Sequence, residues 1–266
     1  MIPPAPPKTL LMLGSSAGRL GRAFRQLRRS TVSWQFLRIL LICQAIPFFW
    51  NKILPNAGYL PDKLYQAQIL FGLNLQSFLS GEIWQIFSYG LIHGNWTHLL
   101  INSATILLLG SKVEYILGKR SYRLLTGLSI LAGGGLFIAQ SWFSKDQETL
   151  VGASAVTFSY LALLVTLSPE SRFLPLFISG KTIGICMIVA NLSLVLINPI
   201  LELGIFSQVG RFLVNLGFGD LFKVSHSCHL GGTLVGYTFG KFILRPRITL
   251  LGLQRARERQ ERYKAQ

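Results

Sequence analysis

The sequence predicts an all-α membrane protein, a bundle of six transmembrane helices with both termini in the cytoplasm. Half of the 266 residues are apolar and 14% are charged, and the mean hydropathy is +0.46. These values are typical of a polytopic membrane protein rather than a soluble domain. The apolar residues form runs of roughly 20 residues, long enough to cross a bilayer. The Lys and Arg residues are distributed unequally between the two sides of the predicted bundle, and this distribution predicts which side faces the cytoplasm.

The predicted spans lie in one transmembrane domain, residues 34–244. They cover residues 34–53, 96–117, 122–143, 151–167, 176–197 and 224–244. The connection 54–95 mixes turn residues with apolar ones, so we expect it to lie partly in the membrane interface. The amphipathic connection 198–223 is expected to cap the bundle. Residues 1–33 form a Pro-rich, basic cytoplasmic segment, which either lies on an anionic membrane surface or is solvated. Residues 245–266 form a basic cytoplasmic tail.

The placement of charge predicts the orientation. Six spans put both termini on one side, and that side carries 21 of the 26 Lys and Arg residues. The five on the other side are Lys52, Lys63, Lys145, Arg211 and Lys223. Because cytoplasmic connections are enriched in Lys and Arg, both termini are predicted to face the cytoplasm. The net charge of +16 is therefore a topology signal, and we expect the lipid bilayer, not nucleic acid, as a partner.

Polar side chains gather at the starts of three spans. His98 and Asn102 lie in the second span, Ser154 in the fourth and His229 in the sixth. In the predicted topology these spans all enter the membrane from outside. With 1.5 Å of rise per residue, His98, Ser154 and His229 lie about 3 to 8 Å below the outer helix ends. Ionisable groups within spans usually face the protein interior or a hydrated cavity, so we expect these side chains to meet at one depth.

Each of these groups fits a role in acyl transfer. Ser154 is the candidate nucleophile, and His229 is a candidate base because imidazole titrates near neutrality. His98 and Asn102 are four residues apart on one helix face, and both can donate hydrogen bonds to an oxyanion, together with the Ser154 amide. No Asp or Glu lies within a few residues of them, so the sequence predicts a Ser–His dyad. The ring of Phe158 either faces the His229 imidazole or packs ordinarily.

Small residues favour a close approach of the fourth and sixth spans. Gly232, Gly236 and Gly240 recur every four residues in the sixth span. The fourth span offers a stripe of small residues, Ala155, Ser159 and Ala162. Such stripes allow helices to approach closely in lipid, so we expect them to bring Ser154 and His229 together.

The ordered motifs between about residues 81 and 240 resemble the rhomboid family of intramembrane serine proteases. Residues 81–84 (Gly-Glu-Ile-Trp) and 93–102 (His-Gly-Asn-Trp-Thr-His-Leu-Leu-Ile-Asn) resemble the signature of its first loop and second helix. Gly152-Ala-Ser154 resembles its Gly-x-Ser nucleophile motif, and residues 229–236 (His-Leu-Gly-Gly-Thr-Leu-Val-Gly) resemble its sixth-helix motif. Glu114 and Gly118 match a Glu-x-x-x-Gly pattern at the end of helix two.

The resemblance implies a serine endopeptidase that cleaves the transmembrane segments of membrane-protein substrates near their outer ends. It implies that Ser154 and His229 are catalytic, that His98, Asn102 and the Ser154 amide form the oxyanion hole, and that no metal or cofactor is required. The supporting positions are Gly152, Phe158, Gly232 and Gly236. The first loop is expected in the membrane interface, and the fifth helix with the loop that follows it is expected to gate access.

The chain departs from the family pattern at two positions. Ala155 follows the nucleophile where the family usually has Gly. Its methyl group is expected either to widen the contact between helices four and six or to tighten the oxyanion site. Gln85 follows Trp84 where the family has Arg, so an anchoring role of that Arg is expected to be lost. All dyad and oxyanion positions hold the expected residue types, which predicts an active enzyme.

Two other functions remain open at this stage. The first is a metal or proton site of a transporter or metalloenzyme, built from His226, Cys228 and His229 together with His93 and His98. No His-Glu-x-x-His motif supports it. The second is a catalytically silent rhomboid-like protein that binds client helices. The absence of a large extra domain or a seventh span fits a bacterial inner or plasma membrane, and an organelle membrane stays open as well. The substrate, the cleavage site and the oligomeric state stay open.

Overall fold

The computed structural model describes residues 21, 25–53, 63–144, 148–173 and 177–244, together with 254–255, 257–258 and 260–262. Most of the predicted N-terminal segment and most of the basic tail lie outside the described residues. The described chain is mostly helical, which confirms the all-α expectation. The strands within it form one two-residue antiparallel ribbon.

The described helices and strands are numbered in chain order. The helices are α1 (Thr31–Ile53), α2 (Lys63–Phe71), α3 (Leu75–Leu79), α4 (Gln85–Ser88), α5 (Trp96–Thr105), α6 (Ser111–Ser144), α7 (Ser154–Leu167), α8 (Gly180–Leu196), α9 (Ile205–Leu213) and α10 (His226–Ile243). The ribbon pairs β1 (Arg172–Phe173) with β2 (Ile178–Ser179). A π-helical turn, Ile106–Gly110, joins α5 to α6. A π-helical turn, Val214–Phe218, and a 3-10 turn, Gly219–Lys223, separate α9 from α10.

One glycine interrupts the long helical stretch from α5 to α6. Gly118 has φ 73° and ψ 165°, a conformation that glycine adopts readily. Tyr122, just beyond it, packs beside Gly110, and its Oη lies 3.0 Å from where a Gly110 side chain would begin. In a straight helix these two residues would lie about 18 Å apart along the axis. The chain therefore turns back at Gly118, between the second and third predicted spans, and the residues after the turn are helical.

The helix α7 is the centre of the bundle. It is apolar on all sides, and eight of its residues are buried, which is the pattern of a helix surrounded by others. Its contacts with α10 are the most extensive in the structure, and α6, α8 and the π-helical turn before α6 also pack against it. Helix α7 therefore fixes the relative positions of the elements that carry the candidate site.

A buried carboxyl group in the first turn of α6 fastens α1 to the bundle. Glu114 accepts hydrogen bonds from the amides of Val32 (3.0 Å) and Ser33 (2.9 Å) and from the Ser33 hydroxyl (2.9 Å). These amides belong to the first turn of α1, where backbone donors lack helical partners. Glu114 thus acts as an N-terminal cap supplied by another helix.

Some predicted span boundaries are wrong, for local reasons. The fifth span was expected to begin at residue 176, but β2 continues to Ser179, whose hydroxyl caps α8 by accepting from the amide of Thr182 at 3.1 Å. By length and apolar composition, one helical stretch of the described chain, Trp96–Ser144, passes the criteria for crossing a membrane, although it is divided by the turn at Gly118. The apolar helices α7 and α8 are shorter. The number of spans and the orientation of the termini stay predictions.

Candidate active site

Ser154 and His229 form a hydrogen-bonded pair. Ser154 is the first residue of α7 and His229 is the fourth of α10. The Ser154 Oγ lies 2.8 Å from Nε2 of His229. The fourth span was predicted to begin at residue 151, whereas the helix begins at Ser154 itself. Its amide is therefore one of the free donors at a helix N-terminus.

The pair meets because two glycines remove the bulk between α7 and α10. A side chain at Gly232 would begin 2.0 Å from the Ala155 carbonyl oxygen, and one at Gly236 would begin 2.1 Å from the Ser159 carbonyl oxygen. Ordinary contacts of this kind begin near 3.4 Å. The two backbones thus touch directly, and only glycine fits at these positions of α10.

Residues 150–153, which lead into Ser154, are held by hydrogen bonds to the connection between α1 and α5. Leu150 and Leu73 exchange two backbone hydrogen bonds of 2.9 Å. The Gly152 amide donates to the carbonyl of Tyr89 at 2.8 Å. The Ala153 amide donates to Nε2 of His93 at 3.3 Å. These bonds fix the backbone up to the residue before the nucleophile candidate.

His93 is fully buried. In the sequence it opens the motif of residues 93–102, and the one role expected for it was that of a metal ligand. Burial lowers the pKa of His93 to about 3, with a smaller contribution from His98, so the imidazole is neutral and keeps a lone pair for the Ala153 amide. The His93 amide donates to the side chain of Gln44 in α1 at 3.2 Å. His93 therefore connects α1 to the segment that carries Ser154.

Gly152 provides room for His98. A side chain at Gly152 would begin 2.5 Å from Cε1 and 2.7 Å from Nε2 of His98. Gly152 also has φ 111°, in the region that disfavours residues with a side chain. Both constraints demand glycine, so the Gly-x-Ser pattern reflects the packing of His98 as well as a turn.

A cavity of about 570 Å³ opens beside the pair, and His98, Asn102, Ser154 and His229 all line it. Asn102 is 4% exposed, and its Nδ2 has no hydrogen-bond partner among the described residues. A buried amide without an acceptor costs about 1–3 kcal/mol. The structure thus holds an unused donor on a residue that lines the same cavity as Ser154.

Aromatic and polar contacts orient the histidines of α10. The Phe158 ring stacks on His229, with centroids 4.1 Å apart and planes 12° apart. His226 contacts two other elements: its Nδ1 lies 3.2 Å from the side-chain oxygen of Asn191 in α8, and its Nε2 lies 2.7 Å from the carbonyl of Leu221. His226 thus joins α8 and the segment before α10 to the helix that carries His229.

An exposed ion pair stands at the cavity rim. Lys223 lines the cavity, and its Nζ lies 2.6 Å from the carboxylate of Asp220. The hydrogen bond and the attraction between them lower the pKa of Asp220 and raise the pKa of Lys223. Both groups are therefore charged at neutral pH.

The structure offers no ligand set for the metal alternative within its described residues. No group of three or more His, Cys, Asp or Glu side chains is placed to hold an ion there. Both nitrogens of His226 are engaged, and the buried thiol of Cys228 lies 3.8 Å from the Tyr89 hydroxyl.

The two departures from the family pattern have structural explanations. Gln85 is fully buried. Its side chain accepts from the Asn74 amide (3.1 Å) and donates to the Ile69 carbonyl (3.2 Å) and to the Glu82 carboxyl (2.6 Å). Gln85 therefore anchors the loop itself, because its neutral amide connects three parts of it. The expected loss of the role of the family's Arg stays a prediction.

The methyl group of Ala155 lies against α6. A side chain at Gly133 would begin 2.7 Å from the Ala155 Cβ. The missing side chain of Gly133 therefore provides the room that Ala155 takes. Neither widening of the α7–α10 contact nor crowding of the oxyanion donors is needed to fit this methyl.

The fold and the site define a class, a helical bundle that sets a serine hydroxyl against a histidine in a cavity. Within that class the chain belongs to the rhomboid family, since the model of the Rhomboid domain matches residues 80–246, more than half of the chain. The resemblance stated from the motifs is confirmed. This family is integral to membranes, and the bacterial inner or plasma membrane stays a prediction.

Two curated relatives come from Arabidopsis thaliana. Rhomboid-like protein 5 is 27% identical over 168 residues, which cover 62% of this chain and 46% of the relative. Rhomboid-like protein 4 is 29% identical over 178 residues, which cover 66% of this chain and 38% of the relative. The matched region thus spans less than half of each relative.

Proposed function

We propose that this chain is an intramembrane serine endopeptidase that cleaves transmembrane segments of other membrane proteins with a Ser154–His229 dyad. The observation that carries the proposal is the 2.8 Å contact between the Ser154 Oγ and the His229 Nε2. Asn102, whose Nδ2 has no partner among the described residues, lines the same cavity. In the proposal these groups are the nucleophile, the base and an anion-stabilising donor.

Acylation begins with transfer of the Ser154 hydroxyl proton to Nε2 of His229. The Oγ forms a bond to the carbonyl carbon of the scissile peptide, whose oxygen becomes an anion. The Asn102 amide, the His98 imidazole and the Ser154 backbone N–H then donate to that oxygen. The imidazolium returns its proton to the departing amine as the C–N bond breaks, leaving an ester on Ser154.

Deacylation repeats these steps with water. His229 takes a proton from water, the oxygen attacks the ester, and the proton returns to Oγ as the carboxylic acid product leaves. The proposed dyad uses no carboxylate to orient the base. The stacked Phe158 ring fixes the imidazole plane and offers a π-face to the imidazolium, an interaction of about 0.5–2 kcal/mol.

The proposal includes six spans with both termini in the cytoplasm. Support comes from the distribution of Lys and Arg and from the reversal of the chain at Gly118. The loop before α5 carries large apolar side chains on its exposed surface, among them Leu79 (59%), Ile83 (65%) and Phe87 (50%). These exposed side chains suit a loop that lies in the membrane interface.

The test is cleavage of a transmembrane reporter substrate in proteoliposomes that contain the purified full-length protein. Ser154→Ala and His229→Ala should each lower the rate by at least about 1000-fold. Ser159→Ala is the matched control, because its buried hydroxyl lies on the same helix and has no partner among the described residues. It should cleave at the wild-type rate.

The other candidate functions predict different results. Cleavage that survives Ser154→Ala would refute the serine mechanism. A loss of activity with a chelator, restored by metal, would favour the metal site. Retention of a transmembrane peptide by a folded wild-type protein that never cleaves it would favour a silent client-binding protein.

A further inference from the structure

A basic groove lies at the start of α1, far from the candidate active site. It measures about 770 Å³ and is lined by three arginines, Arg25, Arg28 and Arg38, together with Leu27 and Trp34. Glu114, which caps α1 beside it, lies 16 residues beyond His98 on the α5–α6 stretch. This spacing corresponds to roughly 24 Å along the helix. The groove and the dyad therefore lie at opposite ends of the bundle.

Hydrogen bonds hold the residues that line the groove in defined positions. The carbonyl of Leu27 accepts from the Ser30 hydroxyl at 2.6 Å and from the indole N–H of Trp34 at 2.9 Å. The side chain of Gln26 donates to the carbonyl of Ser111 at 3.2 Å. These bonds fold the helical residues 25–29 onto the bundle and set the arginines around the space between this segment and α1.

The groove has positive charge that nothing in the described chain neutralises. The three arginine side chains are exposed, and none forms an ion pair with a described carboxylate. The nearby Glu114 points inward and is occupied by the start of α1.

Arg38 gives a second reason to expect a ligand. It lies four residues after Trp34, on the same helix face and inside the predicted first span. Its neighbours Ile39 (46%), Leu41 (43%) and Ile42 (57%) are exposed apolar residues, which suit contact with lipid tails. A charged side chain at this depth needs an anionic or hydrated partner. The protein does not supply one among the described residues, so the partner comes from outside the described chain, as water or as a lipid headgroup.

We propose that this groove binds the phosphate of an anionic phospholipid headgroup. Guanidinium groups match phosphate oxygens in a bidentate manner. An indole such as that of Trp34 is suited to the level of the headgroups. The groove also lies on the predicted cytoplasmic side, where anionic lipids attract basic residues. A bound headgroup would anchor the start of α1 and neutralise Arg38.

The experiment uses titration calorimetry to measure the affinity of the full-length protein, in a neutral detergent, for three ligands. These ligands are short-chain phosphatidylglycerol, short-chain phosphatidylcholine and inorganic phosphate. Wild type should bind phosphatidylglycerol and prefer it to phosphatidylcholine. The triple variant Arg25→Gln, Arg28→Gln, Arg38→Gln should bind phosphatidylglycerol on the order of 100-fold more weakly, since each arginine contributes about fivefold. Inorganic phosphate should compete only weakly.

The matched control is Lys119→Gln, Arg120→Gln, Arg123→Gln. It removes the same charge from exposed positions just beyond Gly118, at the same end of the bundle. This variant should keep the wild-type affinity, which would separate a groove from diffuse attraction. Thermal unfolding of each variant checks its folding. If the triple variant does not fold, the single variant Arg38→Gln replaces it, and about fivefold weaker binding is expected.

Three results would overturn the proposal. The first is unchanged lipid binding by the folded groove variants. The second is an equal loss in the control variant, which would indicate attraction by net charge alone. The third is binding of inorganic phosphate as tightly as phosphatidylglycerol, which would indicate a free-anion site. None of these results depends on whether Ser154 is catalytic.

Discussion

Gly232→Ala is the substitution whose consequence follows most directly from distances in the structure. The new methyl would lie 2.0 Å from the Ala155 carbonyl oxygen, whereas ordinary contacts begin near 3.4 Å. The obstacle is backbone, which cannot rotate away. Interiors are close-packed, so α10 and α7 have to separate by about 1.4 Å, the difference between these two distances.

That separation acts on the dyad, because His229 lies one turn before Gly232 on α10. If the shift is carried along the helix, the 2.8 Å contact between Ser154 and His229 exceeds the limit of about 3.5 Å for a hydrogen bond. A misplacement of about 1 Å can cost on the order of 100-fold in rate. Overpacking of this kind also destabilises a fold by about 1–3 kcal/mol.

The assay measures the second-order rate of fluorophosphonate labelling and the thermal unfolding of the purified protein. Gly135→Ala on α6 is the control, because a side chain there meets nothing within 4 Å. Gly232→Ala should remain folded but react about 100-fold more slowly than wild type. Wild-type reactivity of Gly232→Ala, or an equal loss in Gly135→Ala, would refute the argument that backbone contact holds the dyad together.

Three further predictions concern the donor, the buried carboxyl and the departure at Ala155. Asn102→Ala should lower kcat by about 100- to 1000-fold with little change in KM in the reporter assay, because its amide acts only on the transition state; an equal change in KM would contradict this role. Glu114→Gln should lower the free energy of unfolding by about 1–3 kcal/mol, because an amide group would then face the donors at the start of α1; unchanged stability would count against the cap. Gly133→Ala should destabilise the protein, since its methyl would lie 2.7 Å from the Ala155 Cβ and 2.8 Å from the Tyr89 Oη. Adding Ala155→Gly to this variant should recover part of the lost stability in a double-mutant cycle. Additive effects of the two substitutions on the free energy of unfolding would argue against that contact.

The sequence identified those residues whose positions are defined by an apolar run or by a helical spacing. His98 and Ser154 begin apolar runs, and the glycines of the sixth run recur at a helical spacing. Hydropathy and periodicity therefore sufficed to predict that these side chains meet. The small-residue stripes correctly indicated which helices touch, because close contact in this structure is between backbones at Gly232 and Gly236.

The contacts made by loops could not be predicted in this way. The bond from Ala153 to His93 and the three bonds of Gln85 join segments that have no periodicity and are distant in sequence. A signal was present for His93, since it lies in the same motif as His98. The reversal near Gly118 was expected, because the second span was predicted to end at residue 117 and the third to begin at residue 122. Only the backbone conformation of Gly118 itself could not be predicted.

The central claim is that His229 activates Ser154. Its most direct test is to treat the detergent-solubilised protein with a fluorophosphonate and to map the adduct by peptide mass spectrometry. The account predicts one adduct, on Ser154, that persists in Ser159→Ala and is lost in His229→Ala. A folded wild-type protein without an adduct, or labelling of His229→Ala at the wild-type rate, would contradict it.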